Sequence, residues 1–170
     1  MTDFEDSFSD LYIDASFIGN KIIENLYLGN YYNGSSIGKL KNKGITHLLN
    51  LSNEENLSET MFECMTVYAI DDLEYDIKAV FDICYEFIDK ALVDGKVLVY
   101  CMAGISRSST IIISYLMKKY NMTLYQAYDK VLYCRHIIRP NRWFLKQLKD
   151  YELELGIVSY EKEDVGNLLY

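Results

Sequence analysis

The sequence predicts one α/β domain: a central mixed, mostly parallel sheet flanked by helices. Three observations carry this. Short β-type runs come early in the chain and helical periods cluster late. The apolar strand at 97–100 passes through a glycine-containing loop into an apolar helix, which is a strand-to-helix crossover. The length, 170 residues, suits a single domain of ~100–200 residues. The expected limits are an acidic arm at 1–20, a body at 21–156 and a tail at 157–170.

The arm places Phe4, Phe8, Leu11, Tyr12 and Ala15 at helical spacing. Such a stripe suits an arm folded on its own body or one pairing with a second copy. Gly19-Asn20 ends it. Ile22-Ile23 and 26–28 read as two short strands around a turn at Glu24-Asn25. Residues 33–43 read as a short helix or loop stopped by Gly44. Strands follow at 45–51 and 65–70, and then an acidic loop at 71–75. Ile77, Val80, Phe81, Cys84, Phe87, Ile88 and Ala91 give an amphipathic helix over 76–93. After the Asp94-Gly95 turn come the 97–100 strand, a loop at 101–107 and a helix at 108–120. Thr123 and Gln126 form a capping box for a helix reaching Cys134. Pro140 starts a last helix, which Gly156 ends.

Composition excludes several classes. No apolar run approaches the ~18 residues of a membrane span, so no membrane partner is expected. The acidic N-terminus has no apolar centre like that of a signal peptide, so the expected compartment is the cytosol or nucleus. The net charge is −8, and residues 1–20 hold five acids and no base, which opposes binding to nucleic acid. Four cysteines without C-x-x-C spacing and only two histidines, His47 and His136, predict no metal site and no cofactor. Both histidines are read as structural.

The chemistry lies in CMAGISRS, residues 101–108. A loop feeding a helix N-terminus aims several backbone N–H groups at one place, and the helix dipole adds positive potential. Gly104 lets this loop bend. Arg107 offers a planar fork that matches two phosphate oxygens. Cys101, at the base of that cradle, lies in a field favouring its thiolate and so becomes a nucleophile facing a bound phosphoryl group.

This stretch resembles the C-x5-R-[ST] loop of the cysteine-dependent protein phosphatases, and closely that of the small dual-specificity branch. The similarity extends over about residues 22–155. It includes ENLYLGN at 24–30, GITHLLNLS at 44–52, RHIIRPN at 135–141 and FLKQL at 144–148. It implies a protein tyrosine phosphatase-like fold. It also implies that phosphoproteins bearing phosphotyrosine or phosphoserine/threonine are hydrolysed through a cysteinyl-phosphate. In that scheme Met102, Ala103, Gly104, Ile105, Ser106 and Arg107 bind the phosphate. The family places a general acid five residues ahead of an Asp-Ile, which selects Asp71 before Asp76-Ile77; Asp72 is the neighbouring candidate. Ser108 steadies the departing thiolate and Asn141 supports the loop, although both also suit helix caps. Arg135 and Arg139 are read as surface ion-pair partners rather than substrate contacts.

One position departs from the family pattern. The residue before the nucleophile is Tyr100 where the family has His, and tyrosine brings a hydrogen bond but no positive charge. That departure keeps open an alternative, a catalytically weak pseudophosphatase serving as a phosphopeptide-binding module. The acidic charge opposes an RNA 5′-phosphatase. The loop contains no lysine, which favours phosphoprotein over phosphoinositide. A monomer or a homodimer through the arm is expected. Cys64 and Cys84 are read as core residues, with a disulfide trap for Cys101 as the rival role.

Overall fold

A computed structural model describes residues 18–55 and 57–157. The arm's stripe from Phe4 to Ala15 and the tail beyond Ile157 lie outside the described residues.

Five strands form one sheet in the order β1-β2-β5-β3-β4. They are β1 (Asn20–Ile23), β2 (Leu26–Asn30), β3 (His47–Asn50), β4 (Glu63–Thr66) and β5 (Val97–Cys101). Only β1 and β2 pair antiparallel; β2–β5, β5–β3 and β3–β4 are parallel. The mixed, mostly parallel sheet is therefore as expected. Every residue of β5 is buried, as a central parallel strand covered on both faces requires.

Alternation along β5 divides its side chains between two cores. Val97, Val99 and Cys101 enter the larger one, built with α3 (Phe81–Ala91), α4 (Arg107–Tyr120), α5 (Leu124–Cys134) and α6 (Arg142–Glu154). Leu98 and Tyr100 point to the other face, with Leu40 of α2 (Ile37–Lys43). A further short helix, α1 (Tyr31–Ser35), follows β2 directly. Helix α4 is buried from Ser108 to Met117, because it lies between β5 and the other three long helices. This explains why its sequence shows little polar face.

Several boundaries differ from the sequence expectation, each for a local reason. Residues 31–43 form two helices broken at Ser36, and Gly44 closes the second in the left-handed region at φ 75°. The 45–51 strand shortens to β3, because Ile45 N–H closes α2 on Leu40 while Thr46 and His47 N–H share the Lys96 carbonyl. The 65–70 strand moves to β4. Its pairing stops after Val67 N–H bonds Asn50 O, and the Asn53 side chain then binds both the N–H (3.0 Å) and the C=O (2.7 Å) of Ala69. The 76–93 helix begins as a 3-10 turn at Lys78–Val80, and α3 itself starts at Phe81. Pro140 precedes the cap of α6 rather than starting the helix; Asn141 Oδ1 accepts from Trp143 and Phe144 N–H, both at 2.9 Å.

The Thr123–Gln126 capping box is present, and buried Glu152 adds an acceptor for Leu124 N–H at 2.6 Å. No helix among the described residues is long and apolar enough to cross a membrane. None of those residues forms a group of three His, Cys, Asp or Glu placed to hold a metal ion. None of the four cysteines forms a disulfide. Cys84 is buried in the larger core, which pushes its thiol up to about 12. Cys64 packs on the opposite side of the sheet from Cys101. His47 stacks edge-on against Phe87 and pairs with Glu63, and His136 is exposed.

Candidate active site

The register aligns the carboxyl ends of the parallel strands. Asn30 of β2 lies beside Cys101, and Asn50 of β3 lies beside Tyr100. Ligands of open α/β sheets bind outside such strand ends. Here the chain leaves β5 at Cys101 and enters α4 at Arg107 through the tight loop Met102-Ala-Gly-Ile-Ser106.

The carbonyls of this loop are all engaged from outside. Met102 O accepts from Tyr31 N–H (3.2 Å), Ala103 O from Arg135 Nη2 (3.3 Å) and Gly104 O from Arg135 Nε (2.8 Å). Ile105 O accepts from Arg139 N–H (2.9 Å) and Ser109 Oγ (2.6 Å), and Ser106 O from Thr110 N–H (2.9 Å). No peptide bond among the described residues is cis. In a trans peptide the N–H points opposite to the C=O. Outward carbonyls therefore turn the N–H groups of residues 103–107 to the inside of the loop, an anion-binding nest. Ser106, the N-cap of α4, makes no side-chain cap bond. The positive end of the helix thus faces the same interior.

Gly104 is tightly held at φ 66°. A Cβ there would lie 2.5 Å from Gly29 O and 2.8 Å from Arg135 Nη2. Gly104→Ala is expected to open the loop and cut kcat/KM by on the order of 100-fold, because misplacing positioning groups by about 1 Å costs that much. Steady-state kinetics on a phosphopeptide, with a thermal melt to confirm folding, checks it.

Cys101 is 1% exposed. Its Sγ lies 3.1 Å from Ser108 Oγ. Ser108 is the second residue of α4, inside the helix, so its cap reading does not hold. Arg107 Nη1 donates to Leu51 O (2.8 Å) and Ala69 O (3.1 Å). Its Nε is buried and has no hydrogen-bond partner, since Asp71 Oδ2 stands off at 4.0 Å.

The two acid candidates separate cleanly. Asp71 Oδ1 accepts from Ser106 Oγ (2.8 Å) and Asn141 Nδ2 (2.9 Å), and its other oxygen faces Arg107. Asp72 folds back on its own loop, where Oδ1 accepts from Glu74 and Tyr75 N–H at 2.9 and 2.7 Å. Asn141 joins three parts: it caps α6, holds Asp71, and donates its N–H to Ser106 Oγ at 3.2 Å. Its cap and support readings therefore coexist.

Sequence reasoning missed the Ser106 hydroxyl as the joint between loop and acid, because no local pattern marks it. It also misplaced Arg135, which is buried beneath the loop rather than on the surface. Arg139 reaches the loop through its backbone N–H while its side chain stays exposed. Tyr100 is fully buried on the sheet face opposite Cys101, with its ring against Gly34. Beside the acid loop, Leu73, Arg142, Trp143 and Lys146 line a cavity of about 350 Å³.

A strand-loop-helix anion nest with a cysteine at its base and an arginine at its exit defines a class. Residues 26–154 match the family model described as the dual specificity phosphatase catalytic domain, and the chain belongs to that family. It is 37% identical over 145 residues to human protein phosphatase Slingshot homolog 2, covering 84% of this chain and 10% of that protein. It is also 37% identical over 138 residues to dual specificity protein phosphatase 1 of Arabidopsis thaliana, covering 80% and 70%. The chain thus spans about a tenth of the Slingshot relative's length. Among solved structures it resembles the human tyrosine phosphatase-like serine/threonine/tyrosine-interacting protein, with TM-score 0.76, 32% identity and coverage of 79% and 95%. Human DUSP28 is also similar, with TM-score 0.76, 27% identity and coverage of 81% and 94%.

Proposed function

We propose that the chain hydrolyses phosphotyrosine and phosphoserine/threonine in phosphoproteins through a cysteinyl-phosphate on Cys101. The observation that carries this is the loop whose carbonyls all point outward, around a cysteine and beside an arginine with an unpaired Nε. The Cys101 thiolate attacks phosphorus and the S–P bond forms as the P–O bond to the leaving group breaks. The inward N–H groups and Arg107 Nε take the equatorial oxygens as charge shifts onto them. Asp71 gives its proton to the leaving oxygen from Oδ2, the oxygen not used by Ser106 and Asn141. Water then attacks phosphorus, Asp71 takes its proton, and the S–P bond breaks with Ser108 donating to the sulfur. The scheme uses no metal or cofactor.

Asp71→Asn tests the acid. Asparagine keeps an acceptor for Ser106 but holds no transferable proton. General acid catalysis contributes on the order of 10²–10⁴-fold. The variant is expected to lose at least about 100-fold on a phosphotyrosine peptide and far less on nitrophenyl phosphate, whose leaving group needs little protonation. Equal losses on both substrates would reject Asp71. A peptide carrying phosphothreonine and phosphotyrosine, assayed with the unmodified chain, tests dual specificity: release from one residue only would restrict it. Tight binding without turnover would favour the phosphopeptide-binding module, which has less support because Cys101, Arg107, Asp71 and Ser108 converge. Cysteines outside any disulfide suit a reducing compartment, and we place the activity in the cytosol or nucleus. A monomer or a homodimer through the arm completes this reading.

A further inference from the structure

Arg135 follows the last turn of α5, and its own N–H caps that helix on Val131 O. Only 7% of it is exposed. Its guanidinium makes three hydrogen bonds: Nε to Gly104 O (2.8 Å), Nη1 to Asn20 Oδ1 (2.7 Å) and Nη2 to Ala103 O (3.3 Å). No carboxylate lies within ion-pair distance among the described residues. A buried cation without an acidic partner is costly. Burial pulls the Arg135 guanidinium below its ordinary value, and the neighbouring Cys101 opposes that pull. Arginine nonetheless stays charged at neutral pH. Its fork reaches two consecutive loop carbonyls, which sets the charge against the outer side of the anion nest.

Tyr100 cannot supply this charge. A phenol has no positive charge to offer, and this one lies on the opposite sheet face from Cys101. The loop is instead clamped between Gly29 O of β2 and the Arg135 guanidinium, the two groups a Cβ on Gly104 would strike.

We propose that Arg135 is a positioning residue for phosphate recognition, fixing two loop peptides so that Gly104 and Ile105 N–H face the phosphoryl oxygens and placing a positive charge beneath them. Two properties of one side chain are therefore separable. The fork sets the direction of the N–H groups, and the charge favours anions in the loop. This inference rests on the phosphatase reading above.

The test uses the full chain with Arg135→Gln, Arg135→Lys and Asn20→Ala. Readouts are the thermal melt, kcat and KM on a phosphopeptide, inhibition by inorganic phosphate, and the rate of Cys101 alkylation by iodoacetamide at fixed pH. Arg135→Gln is expected to lose on the order of 10–100-fold in kcat/KM, the scale of a misplaced positioning group. It should also need about tenfold more phosphate for inhibition and be alkylated more slowly. Arg135→Lys should recover alkylation, which follows charge, and not phosphate affinity, which follows the fork. Asn20→Ala releases one arm of the fork and should shift phosphate inhibition in the same direction by a smaller factor.

A folded Arg135→Gln whose phosphate inhibition and alkylation match the unmodified chain overturns the proposal. If that variant does not fold, unchanged phosphate inhibition in Asn20→Ala overturns it instead. An unmodified chain that neither hydrolyses the peptide nor is protected by phosphate from alkylation refutes the phosphatase reading, and this inference with it. A working unmodified chain beside an unaffected Arg135→Gln refutes this inference alone.

Discussion

Cys101→Ser is expected to yield a chain that binds inorganic phosphate and releases none from a phosphopeptide. The serine oxygen fits where Sγ lies against Ser108, but an alcohol is hardly ionised at neutral pH and makes a poor leaving group. None of the loop's carbonyl anchors passes through the sulfur. The inward N–H groups and Arg107 therefore persist. Loss of a nucleophile costs on the order of 10⁶-fold in well-studied cases, so turnover should fall below detection. Phosphate affinity, measured by calorimetry on both chains, should change by less than about threefold, since no charge-assisted bond of the loop is removed. Turnover near that of the unmodified chain would remove Cys101 from the mechanism.

Arg107→Lys is also expected to have a large effect, a fall in kcat/KM on the order of 10²–10³-fold, the scale of removing an electrostatic donor from an active site. Lysine keeps the charge and loses the fork. The present side chain ties Nη1 to Leu51 O and Ala69 O, which leaves Nε turned inward. A lysine ammonium can satisfy those two carbonyls or meet the phosphate, and not hold both geometries. Ala69 also carries the Asn53 clasp and stands two residues before Asp71, so the disturbance reaches the acid loop. Phosphate inhibition should weaken together with turnover. A loss under about fivefold would assign the anion to the backbone alone.

The parts of the site that the sequence reveals are those written within one short segment. Cys101, Gly104, Arg107 and Ser108 are legible because strand, loop and helix follow one another in eight residues, each with its own composition. Asp71 became legible only through family resemblance, since an acidic loop looks the same whether it carries a proton or merely meets water. The connections between segments left no trace. Ser106 meets Asp71 across 35 positions, and Asn141 meets it across 70. Arg135 reads as a surface cation because its partners are main-chain carbonyls, which every residue possesses. The fold was legible where periodicity coincides with pairing, as in β5 and α4. It was not where side chains take over from the ladder: residues 67–70 have strand composition, yet Asn53 holds Ala69 after the sheet has ended.

Ser106 Oγ donates to Asp71 and accepts from Asn141, while Asn141 also caps α6. Asp71, the 102–106 loop and α6 are thus latched together. A site so preorganised has little reorganisation left to do at the moment of reaction. Binding energy from the rest of a phosphoprotein is then not consumed in closing a lid over the chemistry. On the proposed function, choice among substrates would fall instead to the fixed relief of the surface, including the cavity beside the acidic loop, where Leu73 and Trp143 are flanked by Arg142 and Lys146. On the proposed reading, interior bonds would set the chemistry, and the shape and charge of the rim would set selectivity.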